Sequence, residues 1–101
     1  MADQYRLLDS VDAADSPKQI GAGKYWLRMV HLIADSGAPA VAKIRDEAGV
    51  AESTDVLAEI RAVASTDSSL HFDSSGGGLR LTNGCLVTMT GAGSVLYVYG
   101  S

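Results

Sequence analysis

The chain has 101 residues, of which 47% are hydrophobic and 20% charged, and a formal net charge of −4. This length supports one domain with a single core, and this balance is typical of a globular protein rather than a disordered one. The eight Lys and Arg residues are scattered and give no basic surface of the kind that holds nucleic acid, so we expect no nucleic-acid partner.

The first residues contain no basic n-region and no apolar h-region, so we expect no signal peptide and synthesis in the cytoplasm. The longest apolar stretch, residues 25–34, is interrupted by Arg28 and His31. It is about half the length needed to span a bilayer. We therefore expect no membrane partner.

Residues 1–20 begin with apolar side chains and continue with several Asp and Ser residues and Pro17. This composition predicts a short N-terminal strand, or an arm that orders against a neighbour, followed by a polar loop. Residues 21–101 then form the main domain.

Residues 24–34 are the strongest strand candidate. Strict alternation places Leu27, Met29 and Ile33 on one face and Trp26, Val30 and Leu32 on the other. Because both faces are largely apolar, we expect a central strand with one face in the core and the other covered by a second subunit.

The middle of the chain is ambiguous. Within residues 56–64 the apolar positions follow helical spacing after possible N-cap residues, but they also largely alternate with Glu59 and Arg61 as in a strand. Residues 38–46 have the same dual character. The local pattern leaves helix and strand open for both segments.

Residues 79–99 contain three β-rich runs separated by Asn83-Gly84 and by residues 91–94. Asn-Gly tolerates the positive φ angles of a type I′ hairpin turn. The pattern predicts that the chain ends in a β-meander whose first turn is a type I′ turn.

The order of these segments resembles that of small β-sandwich virion proteins of tailed bacteriophages. In that family, a strand, a Gly-rich break, a strand running into an acidic turn and a final hairpin of the form G-L-R-F-x-N-G follow one another. The most specific match is residues 78–84, in which Leu81 replaces the more usual aromatic residue. The matching stretches are residues 23–27, 33–40, 44–49, 70–73, 78–84 and 95–99.

The resemblance implies an all-β fold, a single antiparallel β-sandwich or jelly-roll-like domain, in which residues 56–64 form a strand. It also implies a structural virion protein made in the host cytoplasm. The expected role is that of a capsid decoration (cement) protein, or of a related head or neck protein. The expected partners are the chain itself, as a homotrimer, and the major capsid protein.

Side chains that could support chemistry are sparse. Cys85 lies in an apolar run, typical of a buried and inert thiol. His31 and His71 are 40 residues apart without other ligands at metal-binding spacing, and adjacent Asp46 and Glu47 would point to opposite faces of a strand. We therefore expect no catalytic residue, no cofactor site and no metal site, and an enzyme is the least favoured class.

Two functional hypotheses remain. In the first, the chain acts through protein contacts alone, with a subunit interface formed by Trp26, Val30, Leu32, Tyr97 and Tyr99. In the second, it is a carbohydrate- or receptor-binding module of a head fibre or tail appendage, whose stacking platform would consist of Tyr25, Trp26, Tyr97 and Tyr99. Exposure of the rings distinguishes the two.

Overall fold

A computed structural model describes residues 6–22, 25–72 and 78–100, which contain nine β-strands and one 3-10 turn, Ala13–Asp15. The strands are β1 (Arg6–Asp12), β2 (Lys18–Ala22), β3 (Tyr25–Ile33), β4 (Ala40–Arg45), β5 (Val56–Ala62), β6 (Asp67–His71), β7 (Leu79–Leu81), β8 (Gly84–Thr90) and β9 (Val95–Gly100).

The strands form two antiparallel sheets. The first sheet has the order β1-β9-β3-β6, with short β7 also paired to the beginning of β3, and the second has the order β2-β8-β4-β5. Without β7, this arrangement of eight strands in two four-stranded sheets is that of a jelly roll. The prediction of an all-β, antiparallel, jelly-roll-like sandwich is confirmed.

The N-terminal segment takes part in both sheets. β1 pairs with β9 at the edge of the first sheet, and β2 pairs with β8 at the edge of the second. For residues 1–20 the sequence left a strand or an arm open, and the segment is a strand from Arg6 onward. Residues 1–5 lie outside the described part of the chain.

Both ambiguous middle segments are strands. In β4, buried and half-buried residues alternate along its whole length. In β5, Ile60 and Ala62 are buried, whereas Leu57 and Val63 are exposed. The helical periodicity was misleading because it counted Leu57 and Val63 as core residues.

The meander prediction for residues 79–99 is wrong. β7 lies in the first sheet, β8 in the second and β9 again in the first, so both links cross between the sheets. Asn83-Gly84 therefore does not close a type I′ hairpin. The physical reason is a tertiary one: at this crossing the backbone N–H groups turn toward the Asp46 carboxylate rather than toward a neighbouring strand.

The face assignment of β3 also needs correction. The pairing of β3 with β9 shifts between Leu27 and Met29, which leaves Arg28 as an extra residue in a β-bulge. As a result, Leu27, Val30 and Leu32 all face the core and are fully buried. Trp26, Met29 and Ile33 are left on the outer side.

The core lies between the two sheets and is built mainly of aliphatic side chains. Its largest fully buried members include Val11, Leu27, Leu32, Ile44, Leu81, Val87 and Leu96. Because the inner faces of both sheets meet there, any ligand or partner has to use the outer faces, the loops or the sheet edges.

Candidate subunit interface

The outer side of the first sheet carries a group of half-buried and exposed apolar side chains. Its centre is formed by β3 and β9, where Met29 pairs with Tyr99, His31 with Tyr97, and Ile33 with Val95. Half-buried residues alternate there with buried ones along β9. We call this surface the aromatic face; it comprises Leu7, Trp26, Met29, His31, Ile33, Val95, Tyr97 and Tyr99.

The five predicted interface residues divide between two places. Trp26, Tyr97 and Tyr99 are half-buried on the aromatic face, whereas Val30 and Leu32 are fully buried in the core. The division follows from the bulge at Arg28, which reverses the alternation within β3. Of the proposed stacking platform, the side chain of Tyr25 lies outside the described part of the structure.

Exposure is uneven across the aromatic face. Leu7 is 50% exposed and Ile33 41% exposed, although both are large aliphatic side chains. Leu7 stands beside Tyr99 on β1, at one margin of the sheet. These two residues are the most exposed apolar side chains of the face, so they would bury the most apolar surface against a partner.

Two side chains of the face, His31 and Trp26, have polar partners within the chain. His31 Nε2 lies 2.7 Å from Asp67 Oδ2 on neighbouring β6. The Arg80 guanidinium lies 5.5 Å from the centre of the Trp26 ring, a cation–π distance. One side of the Trp26 ring is therefore already occupied by a neighbour in the same chain.

Asp46, at the end of β4, organises the crossing between β7 and β8. Its carboxylate accepts hydrogen bonds from the backbone N–H groups of Thr82, Asn83 and Gly84 at 2.7–3.3 Å, and from the Thr82 hydroxyl. Burial opposes ionisation, but the hydrogen bonds from Asn83 and Thr82 outweigh it and hold the pKa of Asp46 below its usual value.

Glu47 has a similar structural role in the next loop. It is 7% exposed, and its Oε1 accepts hydrogen bonds from the Ser53 and Thr54 N–H groups and from the Thr54 hydroxyl. Burial alone would raise the pKa of Glu47. The hydrogen bonds from Thr54 and Ser53 outweigh that effect, so the pKa lies below its usual value. The two adjacent carboxylates thus hold different loops and form no acid–base pair.

Sequence reasoning missed both of these roles. The only local signal was the acidic pair at the end of a predicted strand, and the partners lie 36–38 residues away for Asp46. Gln19 shows the same kind of long-range contact, because its side-chain N–H group donates to the Glu47 carbonyl at 2.6 Å and to the Gly49 carbonyl at 2.9 Å.

The thiol and the histidines form no reactive cluster in the described residues. Cys85 is fully buried, and burial, with a smaller contribution from Asp46, raises its pKa to about 12. His71 pairs with Met29, two positions along β6 from the partner of His31. No group of three His, Cys, Asp or Glu side chains suited to a metal ion occurs in residues 6–22, 25–72 and 78–100.

The outer side of the second sheet carries a polar groove. It is lined by Val41, Lys43, Glu52, Arg61, Thr88 and Thr90, with Met89 at its base. Its charges are largely matched, since Arg61 pairs with Glu59 and Arg45 lies 3.6 Å from Glu52. Among the helices and turns of the described residues, none is long and apolar enough to cross a membrane.

Comparison with known proteins gives little help. No family model matches the chain, and no curated protein matches its sequence. Two solved structures of the Tobacco streak virus coat protein are similar. One has a TM-score of 0.41 and 13% identity over 97% of this chain and 83% of the coat protein. The other, a coat protein dimer, has a TM-score of 0.38 and 15% identity over 94% and 74%.

Both TM-scores lie below 0.5, so these likenesses carry no weight for function. Both structures come from a plant virus, and neither bears on the resemblance to tailed-phage proteins. The strand order itself is a jelly roll, a fold used by viral capsid proteins, lectins and cupins alike. The choice among functions therefore has to be made on the surfaces of this chain.

Proposed function

We propose that the chain is a structural virion protein that assembles through its aromatic face. Its specific role would be that of a capsid decoration protein that bridges major capsid protein subunits in a tailed phage. The chain would act as a homotrimer and reside in the virion after synthesis in the host cytoplasm. Its mechanism would be contact between protein surfaces, without catalysis or a cofactor.

The aromatic face is the observation that supports this proposal. It presents exposed Leu7 and Ile33 beside half-buried Met29, Tyr97 and Tyr99 on one side of the first sheet. Contiguous apolar surface of this kind on a soluble chain marks an interaction site. The sequence resemblance and the jelly-roll strand order are consistent with a virion protein, and neither would suffice alone.

The size of the face sets the expected strength of association. Three strands about 4.8 Å apart, with about five residues of each, cover on the order of 240 Å². Burial of that area contributes about 6 kcal/mol at 25 cal/mol per Å², which lies within the range estimated for the cost of association. Since stable interfaces bury about 800 Å² per partner, flanking surfaces have to contribute as well.

A subunit of this kind would stabilise a capsid by linkage. If it binds only the mature lattice, each bound copy shifts the equilibrium toward that lattice, because a ligand stabilises the state that it binds. No group on the aromatic face needs to undergo chemistry for this effect. The imidazole of His31 on this face already has Asp67 as a partner within the chain.

The decisive experiment compares Ile33→Asp with Val50→Asp. Both replace an exposed aliphatic side chain, 41% and 54% exposed, but only Ile33 lies on the aromatic face, opposite Asp67. We expect Ile33→Asp to reduce the mass measured by sedimentation velocity and Val50→Asp to leave it unchanged, with both variants folded by circular dichroism. Equal masses for both variants and the wild type would overturn the proposal.

The binding-module hypothesis is the second candidate, because Trp26, Tyr97 and Tyr99 share the aromatic face. Arg80 over the Trp26 ring and the partial burial of all three side chains reduce the ring surface open to a sugar. A monomeric wild type that binds a glycan, with binding lost in Tyr97→Ala, would favour this candidate over a structural role.

A further inference from the structure

A second surface for self-association lies at the edge of the second sheet. β5 is the last strand of the order β2-β8-β4-β5, and among the described residues its ladder partner is β4 alone. The opposite side of its backbone is therefore free of ladder pairing within the described chain. Such an edge is a template on which another strand can pair.

β5 is less protected than the sheet edges at β2 and β6, and the remaining edge strand, β1, is interrupted by a β-bulge at Leu8. β2 begins directly after Pro17 with Lys18, and β6 is short and mostly polar, with the sequence DSSLH. β5 has seven residues and contains neither Pro nor Lys. Proline, lysine and short polar strands are the usual means by which proteins prevent edge pairing.

The side chains along β5 are self-complementary. Leu57 is 48% exposed and Val63 just beyond the strand is 66% exposed, whereas Glu59 and Arg61 carry opposite charges between them. In an antiparallel pair of two copies centred on Ile60, Glu59 of each copy stands opposite Arg61 of the other. Leu57 and Val63 lie just beyond the two ends of this regular pairing, because Leu57 is the extra residue of a β-bulge against β4 and Val63 follows the last residue of β5.

This register also respects the faces of the sheet. Residues 58, 60 and 62 are the half-buried and buried members of β5, and they would pair with one another on the inner side. A bulge at Leu57 shifts the register with β4 at one end, so regular pairing would extend over residues 58–62. Opposite charges and apolar pairs across strands are the units that stabilise such a contact.

We infer that β5 is a two-fold contact site for a second copy of this chain, which would join two second sheets into one eight-stranded sheet. The partner is a copy of the chain itself because one strand supplies both halves of each matching pair, as a two-fold interface requires. This contact is separate from the aromatic face and does not depend on the proposed virion role.

Charge reversal tests the register directly. In Glu59→Arg, two Arg residues of one copy would face two of the other, and in Arg61→Glu two Glu residues would face two Glu residues. We expect each single variant to weaken the β5 contact by about tenfold or more, because two attractive pairs become repulsive. An equal mixture of the two variants places Arg opposite Glu at both positions and should restore association.

The mixture separates contacts between chains from effects within one chain. Each single variant also loses its own Glu59–Arg61 ion pair, in which Arg61 Nε donates to Glu59 Oε2 at 2.6 Å. Mixing cannot repair that loss, so recovery of association reports on pairing between copies alone. Because Arg61 is 73% exposed, loss of the ion pair should cost little stability.

The measurement is sedimentation velocity of the wild type, each variant and the mixture from micromolar to millimolar concentration, with melting curves as the check on folding. The inference is overturned if the single variants associate as the wild type does, if the mixture fails to recover, or if the wild type shows no charge-sensitive association. Loss of association in Ile33→Asp alone, with no effect of charge reversal, would support the aromatic face and exclude the β5 contact.

Discussion

Replacement of Asp46 by Asn tests how the two sheets are connected. The Asp46 carboxylate receives hydrogen bonds from three consecutive backbone N–H groups, those of Thr82, Asn83 and Gly84, at the link between β7 and β8. The shortest, from Asn83, is 2.7 Å. An Asn side chain keeps one acceptor oxygen but turns an NH₂ group toward donors, so part of this set is lost.

The expected loss of stability is moderate. Hydrogen bonds to charged groups contribute about 1.5–3 kcal/mol each when buried, but Thr82 and Asn83 are exposed and water can replace part of the set. We therefore expect Asp46→Asn to lower the free energy of unfolding by about 1–2 kcal/mol. For a domain of this size that corresponds to a fall in Tm of roughly 4–16 °C.

The matched control is Asp55→Asn. Asp55 is exposed and takes no part in the hydrogen bonds that the described residues make to Asp46. Its replacement by Asn changes the net charge by the same amount. Urea unfolding of both variants and the wild type measures the difference, and we expect Asp55→Asn to stay within about 0.5 kcal/mol of the wild type. Equal stability of the two variants would refute the role given to Asp46.

The pH dependence provides an independent check. The folded-state pKa of Asp46 lies below its ordinary value of 3.8, so its stabilising effect is complete well above 3.8 and is lost as the pH falls through 3.8 toward the folded value. Glu47 has a lowered pKa as well, from an ordinary value of 4.5, and loses its effect in the same direction. Asp46→Asn should therefore flatten part, not all, of the loss of stability in acid, because Glu47 still contributes.

Two substitutions and one thiol reagent test the packing of the core and the loop between β8 and β9. Leu96→Ala, at a fully buried position, should destabilise by about 2–5 kcal/mol in urea unfolding, whereas Leu57→Ala, 48% exposed, should cost less than about 1 kcal/mol. Gly91→Ala should destabilise by about 1–3 kcal/mol, because Gly91 has φ +107° and an added Cβ would overlap the carbonyl oxygen of Pro39. Cys85, with its pKa raised to about 12, should react with a thiol reagent only at the rate of unfolding, and fast labelling of the folded protein would contradict its burial.

Only some of the strands could be predicted from local pattern. Alternation identified β3, but it left helix and strand open for β4 and β5, and the resemblance in the order of segments favoured strands there. In a regular strand every second side chain faces the core, and this alternation is visible in the sequence. The β-sandwich fold was implied by the resemblance, which compares the order of segments along residues 23–99 rather than any one local pattern.

The sheet to which each strand belongs could not be predicted in the same way. Asn83-Gly84 favours a hairpin locally, but the Asp46 carboxylate lies within reach only once β4 and β8 are paired. The bulge at Arg28 likewise depends on pairing with β9 and has no mark in the sequence. One extra residue there was enough to reverse the assignment of Leu27 and Trp26.

The candidate surfaces could be predicted only where the alternation of side chains is regular. Tyr97 and Tyr99 were found because alternation in β9 is regular, whereas Val30 and Leu32 were misplaced because alternation in β3 is interrupted. The β5 edge had no local signal beyond Glu59 and Arg61. It becomes visible as a contact site only when the strand order shows that β5 is the last strand of its sheet.

Sedimentation equilibrium of the unmodified chain tests most directly whether this protein works through contacts with other subunits. One chain has a mass of 10.5 kDa. We predict a multiple of that mass at micromolar concentration, with a trimer as the expected unit, and a Tm that rises with protein concentration because association stabilises the folded chain. A mass of 10.5 kDa and a constant Tm up to millimolar concentration would contradict assembly through either the aromatic face or the β5 edge.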